Sequence, residues 1–499
     1  MVRSGTHRGQ TCPRVARWNS ARSSSAPDAR AGRESVRFRP ARLRPRWPTP
    51  HPTLVAAALV TLVSCGGDAT APVEATPDPE PPPIPAEATT WIEANAHPFE
   101  GSHLSLPHSD LGFLRGIVGN ARIVSLGENT HGTRDFFEMK ARILRFLVEE
   151  MGFTAFAIEA TWPEARRLDH YIRTGEGDAA ELLSGLYFWT WNTESVLEMI
   201  EWMRAHNEAG GDVGFHGFDM QYPGMALHNV REYFAAVDSG QAGAVATRLD
   251  CLGRFANDPS GRFPSPRYGD QTDTYHANCS ASLDAVHQVL VDGRETYEAT
   301  SGEEAFAVAL QSMRVAIQYH LMITGGQGRD ESMAENTVWI QRQLGPGARM
   351  VLWAHNFHVS AQPGAQGSFL RRAYGDAMVI VGFSHEAGTF TAVLQRGASY
   401  LGLTEHTLAA PLPLSYEHYL STPAAPRYVV DLRNRNTSSA GASWLAGPRS
   451  FRAIGCCYDP GASYRYWSQS PLPEWYDVLI HYESTRPTVV LPSRYPTSF

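Results

Sequence analysis

The chain has 499 residues, 43% of them hydrophobic and 19% charged. That length and apolar content supply the core of two or three domains, and exclude a small disulfide scaffold or a wholly disordered chain. The net charge of −8 is unevenly spread: residues 1–50 hold twelve Arg, no Lys and only Asp28 and Glu34, about +10, and the remainder carries about −18. An acidic body repels a phosphate backbone, so no nucleic-acid partner is expected.

The Arg-, Ser- and Pro-rich head ends in the apolar run LVAAALVTLVS, Leu54–Ser64. Eleven residues are too few to span a bilayer, which takes about 20. With Arg44 and Arg46 just upstream, the run reads as the core of a secretory signal. It closes on Leu62-Val63-Ser64-Cys65-Gly66, which resembles a bacterial lipoprotein signal with Cys65 as the acylated residue. Residues 1–64 are therefore read as a leader; its length also fits a translation start assigned too far upstream. Residues 65–87, rich in Pro and acids, cannot build a core and read as an extended tether. The plan is an exported, membrane-anchored lipoprotein facing the periplasm or cell surface, with acyl chains supplying the membrane affinity. Four cysteines remain in the body. A Cys251–Cys279 bridge fits an oxidising compartment, with free buried thiols as the alternative. The adjacent Cys456 and Cys457 cannot easily bridge without strain, and none of the four has metal-site spacing.

From about residue 88 short apolar strands alternate with amphipathic helices. ARIVSLG (121–127), TAFAIEA (154–160), DVGFHGFD (212–219), RMVLWAHN (349–356) and AMVIVGFSH (377–385) read as buried strands. Helices are expected over Arg134–Glu150 and Pro163–Tyr171, the first from apolar residues at three- and four-residue steps. Strands separated by helices imply an α/β fold with a parallel-type sheet and helices on both faces. Residues 88–223 form the first part of this core. Residues 224–345 carry helical periods without strand signals, including Glu303–Thr324 and Ser332–Leu344, and read as a helical insertion. Residues 346–499 complete the sheet and add a smaller α+β part, with strand candidates TFTAVLQ, RYVVDLR and YDVLIHYES.

The chemistry-bearing residues fall at or just past the C-terminal ends of these strands: Glu128 and His131, Glu159, Asp219, and His355 and His358. Ligands of open α/β sheets bind outside those ends, so residues far apart in sequence should converge there. Taken singly, each is more often a loop, cap or hydrogen-bonded structural residue. Carboxylates and imidazoles in one cleft are what hydrolysis by an activated water needs. No G-x-S-x-G, H-E-x-x-H or P-loop occurs, which disfavours a serine esterase and gives a nucleotide-driven enzyme no support. No cofactor is required by this reading. The alternative is a Zn²⁺- or Mn²⁺-dependent hydrolase with Glu128, His131, Glu159, His355 and His358 as ligands. A non-catalytic ligand-binding lipoprotein is a second alternative.

The segments SLGENTHGTRDFFEMKARILRFLVEEMGF, FAIEATW, WNTESVLEMIEWMRAHN, GFHGFDMQ, RDESMAENTVWI and VLWAHNFHVS together resemble the erythromycin esterase family, in the same order, from about residue 88 to 485. The resemblance implies an α/β core with a helical part and a smaller α+β part. It implies hydrolysis of a small-molecule ester or lactone, with macrolide antibiotics as the family's named substrates. By the same resemblance His131 is the general base, Glu128 and Glu159 are its acidic residues, and His355 and His358 are the paired histidines of A-H-N-x-H. Where the family places an Arg nine positions after the base, this chain has Lys140, a point charge rather than a fork. Arg329 is a further candidate cation for the cleft. A monomer is expected.

Overall fold

In the computed structural model, residues 82–257, 266–433 and 435–493 are described. The leader, Cys65 and most of the Pro-rich tether lie outside them. Among the described residues twelve strands occur: β1 Ala96–Pro98, β2 Ile123–Leu126, β3 Ala155–Thr161, β4 Gly214–Asp219, β5 Met350–Trp353, β6 Met378–Arg396, β7 Ser399–Thr407, β8 Arg427–Asp431, β9 Arg449–Arg452, β10 Cys457–Tyr458, β11 Trp467–Ser470 and β12 Val478–Thr485. Ten of them form one sheet in the order β1-β8-β12-β6-β2-β5-β3-β4, with β7 and β10 pairing β6. The run from β12 to β4 is parallel throughout. β8 is antiparallel to β12, and β1 to β8. The fold is thus a mixed α/β architecture around a mainly parallel sheet.

The central strands are buried on both faces, which explains their near-continuous apolar sequence. Ile123, Ala155, Ala157 and Leu352 point into one core, and Val124, Leu126, Phe156, Ile158, Val351 and Trp353 into the other. The second core also takes the apolar faces of helices Arg134–Met151, Trp162–Thr174 and Glu194–Glu208. The first takes those of Gly224–Val237, Ser239–Gly253, Asp273–Asp292, Glu303–Thr324 and Arg329–Leu344. Among the described residues, every regular element between β4 and β5 is helical. Cys251 and Cys279 form a disulfide that joins two of these helices, with Cα atoms 5.4 Å apart. Among the described residues, no helix is long and apolar enough to cross a membrane.

One strand runs beyond its sequence expectation. AMVIVGFSH and TFTAVLQ are a single strand, β6, that continues past the sheet body to pair with β7 and β10. Gly388 lies between the two segments with a φ of 105°, a conformation that costs a glycine little. The extension carries the strands of the smaller C-terminal part over the strand ends.

Candidate functional site

The loop after β2, Gly127-Glu128-Asn129-Thr130-His131-Gly132, is pinned on both sides by its glycines. A Cβ on Gly127 would sit 2.2 Å from Asn356 Oδ1, and one on Gly132 would sit 1.8 Å from the Thr391 carbonyl oxygen. Only glycine permits such close approach. Asn356, just past β5, accepts from the Phe383 amide and donates to the Phe383 carbonyl, at 3.0 and 2.7 Å. Its own amide donates to the Glu128 carbonyl at 2.8 Å. The ends of β2, β5 and β6 are thereby clamped together, and Glu128 and His131 project from a rigid corner.

Glu128 is fully buried. Its carboxylate accepts from His131 Nδ1 at 2.7 Å, from the Trp353 indole at 2.8 Å, and from the Lys140 ammonium. Burial opposes its charge, but Lys140 and His131 hold its pKa below the usual range. Lys140 is itself fully buried, reaching Glu128 from helix Arg134–Met151 with its ammonium 4.1 Å from the Trp353 ring centre. Burial pushes its pKa down to about 8 against the pull of Glu128. Lys140 therefore supports the carboxylate from behind, and its side chain is not placed to reach a substrate.

His131 is the residue this support serves. Its ring packs edge-on against Trp191, 5.7 Å between centres. Burial, the largest single influence, disfavours the imidazolium, but the bond to Glu128 and the negative charges of Glu128 and its neighbours together raise the pKa above 6.5. With Nδ1 taken by Glu128, Nε2 has no protein partner among the described residues. That leaves one imidazole nitrogen open toward the cleft.

His355 behaves differently, although its ring lies only 5.1 Å from that of His131. Its Nε2 lies 3.2 Å from the carbonyls of both Asn129 and Ile454, and its Nδ1 accepts from the Phe357 amide at 3.2 Å. Two carbonyls and an amide assign the Nε2–H tautomer. Burial, with the charges of His131 and His358, pushes its pKa down to about 4, so it stays neutral. Both of its nitrogens are committed to backbone.

A second cluster sits at the ends of β3 and β4. Glu159 accepts from Arg329 Nη2 at 2.7 Å and from the His355 amide at 3.0 Å. His358, with Arg329, holds its carboxyl well below the usual range despite burial. Asp219, fully buried, accepts from Arg329 Nε and Nη2 at 3.2 and 2.6 Å. Asp219 is thus the seat of the guanidinium. Arg329 opens the helix Arg329–Leu344 and remains partly exposed. His358 Nδ1 bonds Asp330 at 2.8 Å, and its Nε2 faces Arg329 Nη1 at 3.2 Å and Glu159 at 3.4 Å.

The structure thus gathers Glu128, His131, Glu159, Asp219, Arg329, His355 and His358 around the C-terminal ends of β2 to β5, with Lys140 buried behind Glu128. Sequence reasoning missed Asp330, Trp353 and Asn356, and read Trp191 as core. Asp330 carried a signal, standing beside Arg329 at a helix start. The two Trp residues gave none, because a buried Trp at a strand or turn reads first as core. Among the described residues, no three His, Cys, Asp or Glu side chains are grouped to hold a metal ion. The five candidate ligands instead pair with Lys140, Arg329, Asp330, backbone groups and one another.

A family model described as erythromycin esterase matches residues 148–485. The chain belongs to the erythromycin esterase family. Erythromycin esterase type II of Escherichia coli is 24% identical over 339 residues, covering 61% of this chain and 78% of that protein. YbfO of Bacillus subtilis, a hydrolase by name only, is 24% identical over 438 residues, covering 80% and 92%. A crystal structure of a Bacillus cereus protein superimposes with a TM-score of 0.70 at 25% identity, over 81% of this chain and 99% of that one. An erythromycin esterase mutant in its open conformation does so with a TM-score of 0.61 at 18% identity, over 76% and 95%. The family supports a hydrolase. Glu128, His131 and Lys140 lie upstream of the span that the family model matches, so their place in this erythromycin esterase-like cleft rests on the geometry above.

Proposed function

We propose that the protein hydrolyses a carboxylic ester or lactone by direct attack of water. The observation that carries this is His131, held through Nδ1 by a buried carboxylate and open at Nε2. Nε2 takes a proton from water, and Glu128 stabilises the imidazolium that forms. Arg329, held across the cleft beside His358, meets the charge that develops on the carbonyl oxygen. Glu159 and Asp219 fix the guanidinium, and His355 holds the loop that carries His131. No Ser or Cys nucleophile is needed for this path.

The leader and Cys65 belong to the same reading, as a lipid anchor for an exported enzyme. Mass spectrometry of the N-terminal peptide, with Cys65→Ser as control, tests it. The substrate is an ester or lactone of a macrolide or of envelope polysaccharide. A hydrolysis screen across macrolides, simple lactones and acylated sugars decides between them. Turnover of any member should vanish in His131→Ala. Turnover retained by that variant, with the fold intact, overturns the mechanism.

A further inference from the structure

The adjacent cysteines Cys456 and Cys457 play no part in the chemistry above, yet they sit beside it. The segment Arg452–Cys457 lies across the His131 loop. The Ile454 amide donates to the Asn129 carbonyl at 2.8 Å, and the Ile454 carbonyl lies 3.2 Å from His355 Nε2. The Arg452 carbonyl accepts from the Asn129 side chain. The Cys456 carbonyl accepts from the Val393 amide at 2.9 Å, and Cys457 begins β10 against the β6 extension. Neither thiol is bridged, and Cys456 is exposed. The two thiols stand on consecutive residues, and Cys457 is the less exposed of the two.

From this placement we propose that Cys456 and Cys457 form an oxidisable dithiol at the mouth of the cleft, reactive toward hydroperoxides and coupled to the His131 site. Exposure and a neighbouring resolving thiol are what such a site requires. The two thiols are also unequal. Cys456 is exposed, whereas Cys457 is partly buried and held in β10. The nucleophile is thereby assigned to Cys456.

The steps balance. Cys456 sulfur attacks the terminal peroxide oxygen, the O–O bond breaks, and an alcohol leaves with the thiol proton. Cys456 is then a sulfenic acid. Cys457 sulfur attacks it, an S–S bond forms, and water leaves. Two thiols have lost two electrons to one hydroperoxide. A ring through adjacent residues twists the peptide between them, so the bridge is strained and readily reduced by an external thiol. That twist acts on the Cys456 carbonyl held by Val393, and through Ile454 on the loop that carries His131.

The test uses the intact chain, with the Cys251–Cys279 bridge as an internal control. Stoichiometric hydroperoxide should remove two hydrogens from the peptide holding both thiols, as read by mass spectrometry. A thiol reductant should restore them. Cys457→Ser should instead stop at a sulfenic acid on Cys456, trapped by a carbon nucleophile. Cys456→Ser should react at least about tenfold more slowly. These readouts need no substrate, so they stand apart from the hydrolase assignment. The coupling is read by NMR at the backbone amides of residues 129–132, whose signals should shift on oxidation through the hydrogen bond from Ile454 to the Asn129 carbonyl. Reaction at Cys457 first, equal rates in wild type and Cys456→Ser, or unmoved amide signals over residues 129–132 overturn the proposal.

Discussion

The two ends of the cleft hold similar residues and use them in opposite ways. At the β2 end one buried carboxylate, Glu128, is shared by a Lys, an indole and an imidazole, and the imidazole keeps a free nitrogen. At the β3 and β4 ends two carboxylates, Glu159 and Asp219, converge on one guanidinium, and His358 is held by Asp330. The first arrangement leaves a group that can accept a proton. The second makes a fixed charge that cannot be titrated near neutral pH. An imidazole beside a carboxylate is therefore not by itself a base. What separates His131 from His355 and His358 is the nitrogen left open.

The largest effect that tests this contrast is at His131. His131→Ala should lower turnover by about 10²- to 10⁴-fold, the contribution of a positioned general base, with an unchanged circular dichroism spectrum. His355→Asn should reduce thermal stability as well as turnover, because His355 ties the Asn129 and Ile454 carbonyls together. If His355→Asn spares stability and His131→Ala spares activity, the two roles have been assigned backwards.

Lys140 comes next. Removing one partner of a buried ion pair strands the other charge and costs about 3–5 kcal/mol. Lys140→Met should therefore destabilise the protein by roughly that amount in denaturant unfolding. Adding Glu128→Gln should recover much of the stability and none of the activity, since His131 then lacks its carboxylate. Recovery of both would mean that Glu128 serves the fold alone.

The central strands were legible in sequence because their apolar runs are continuous, as burial on both faces requires. The residues at their C-terminal ends were legible jointly, because polar side chains close several such runs on the same edge of the sheet, although singly each reads as a loop or cap. Glu128, Glu159 and Asp219 each follow that pattern. Lys140 was harder. In sequence it stands where the family places an Arg and reads as a cation for the substrate, and only the tertiary fold reveals that it is buried against Trp353. The length of β6 was not readable either. Gly388 looks like a strand end, and only its pairing to β7 and β10 shows that the strand continues.

Arg329 supplies a smaller expected effect. Arg329→Lys keeps a positive charge but loses the fork that binds Asp219 through two nitrogens. A fall of about tenfold to a hundredfold in kcat/KM, or about 1.4–2.7 kcal/mol of transition-state stabilisation, is expected. It should appear in kcat with the pH profile unmoved, because a fixed charge has been displaced and no titrating group has changed.

The smallest effect is in the pH profile. A general base must be neutral to act, so activity should fall on the acid side as His131 gains its proton. Glu128 raises the His131 pKa above 6.5, and the acid limb should therefore have its midpoint above that value. The stability linkage has the same origin. A raised histidine pKa stabilises the fold below its unfolded value, and that contribution is lost as pH rises through the folded pKa. In Glu128→Gln the charge that raises the pKa is gone while the burial remains, so the midpoint for residual activity should move to lower pH. Asp330→Asn removes a carboxylate from His358 and leaves the Glu128–His131 bond in place, so it should reduce turnover a few-fold without moving that midpoint. A shift of the acid limb in Asp330→Asn, and none in Glu128→Gln, would place the proton-accepting imidazole at the other end of the cleft.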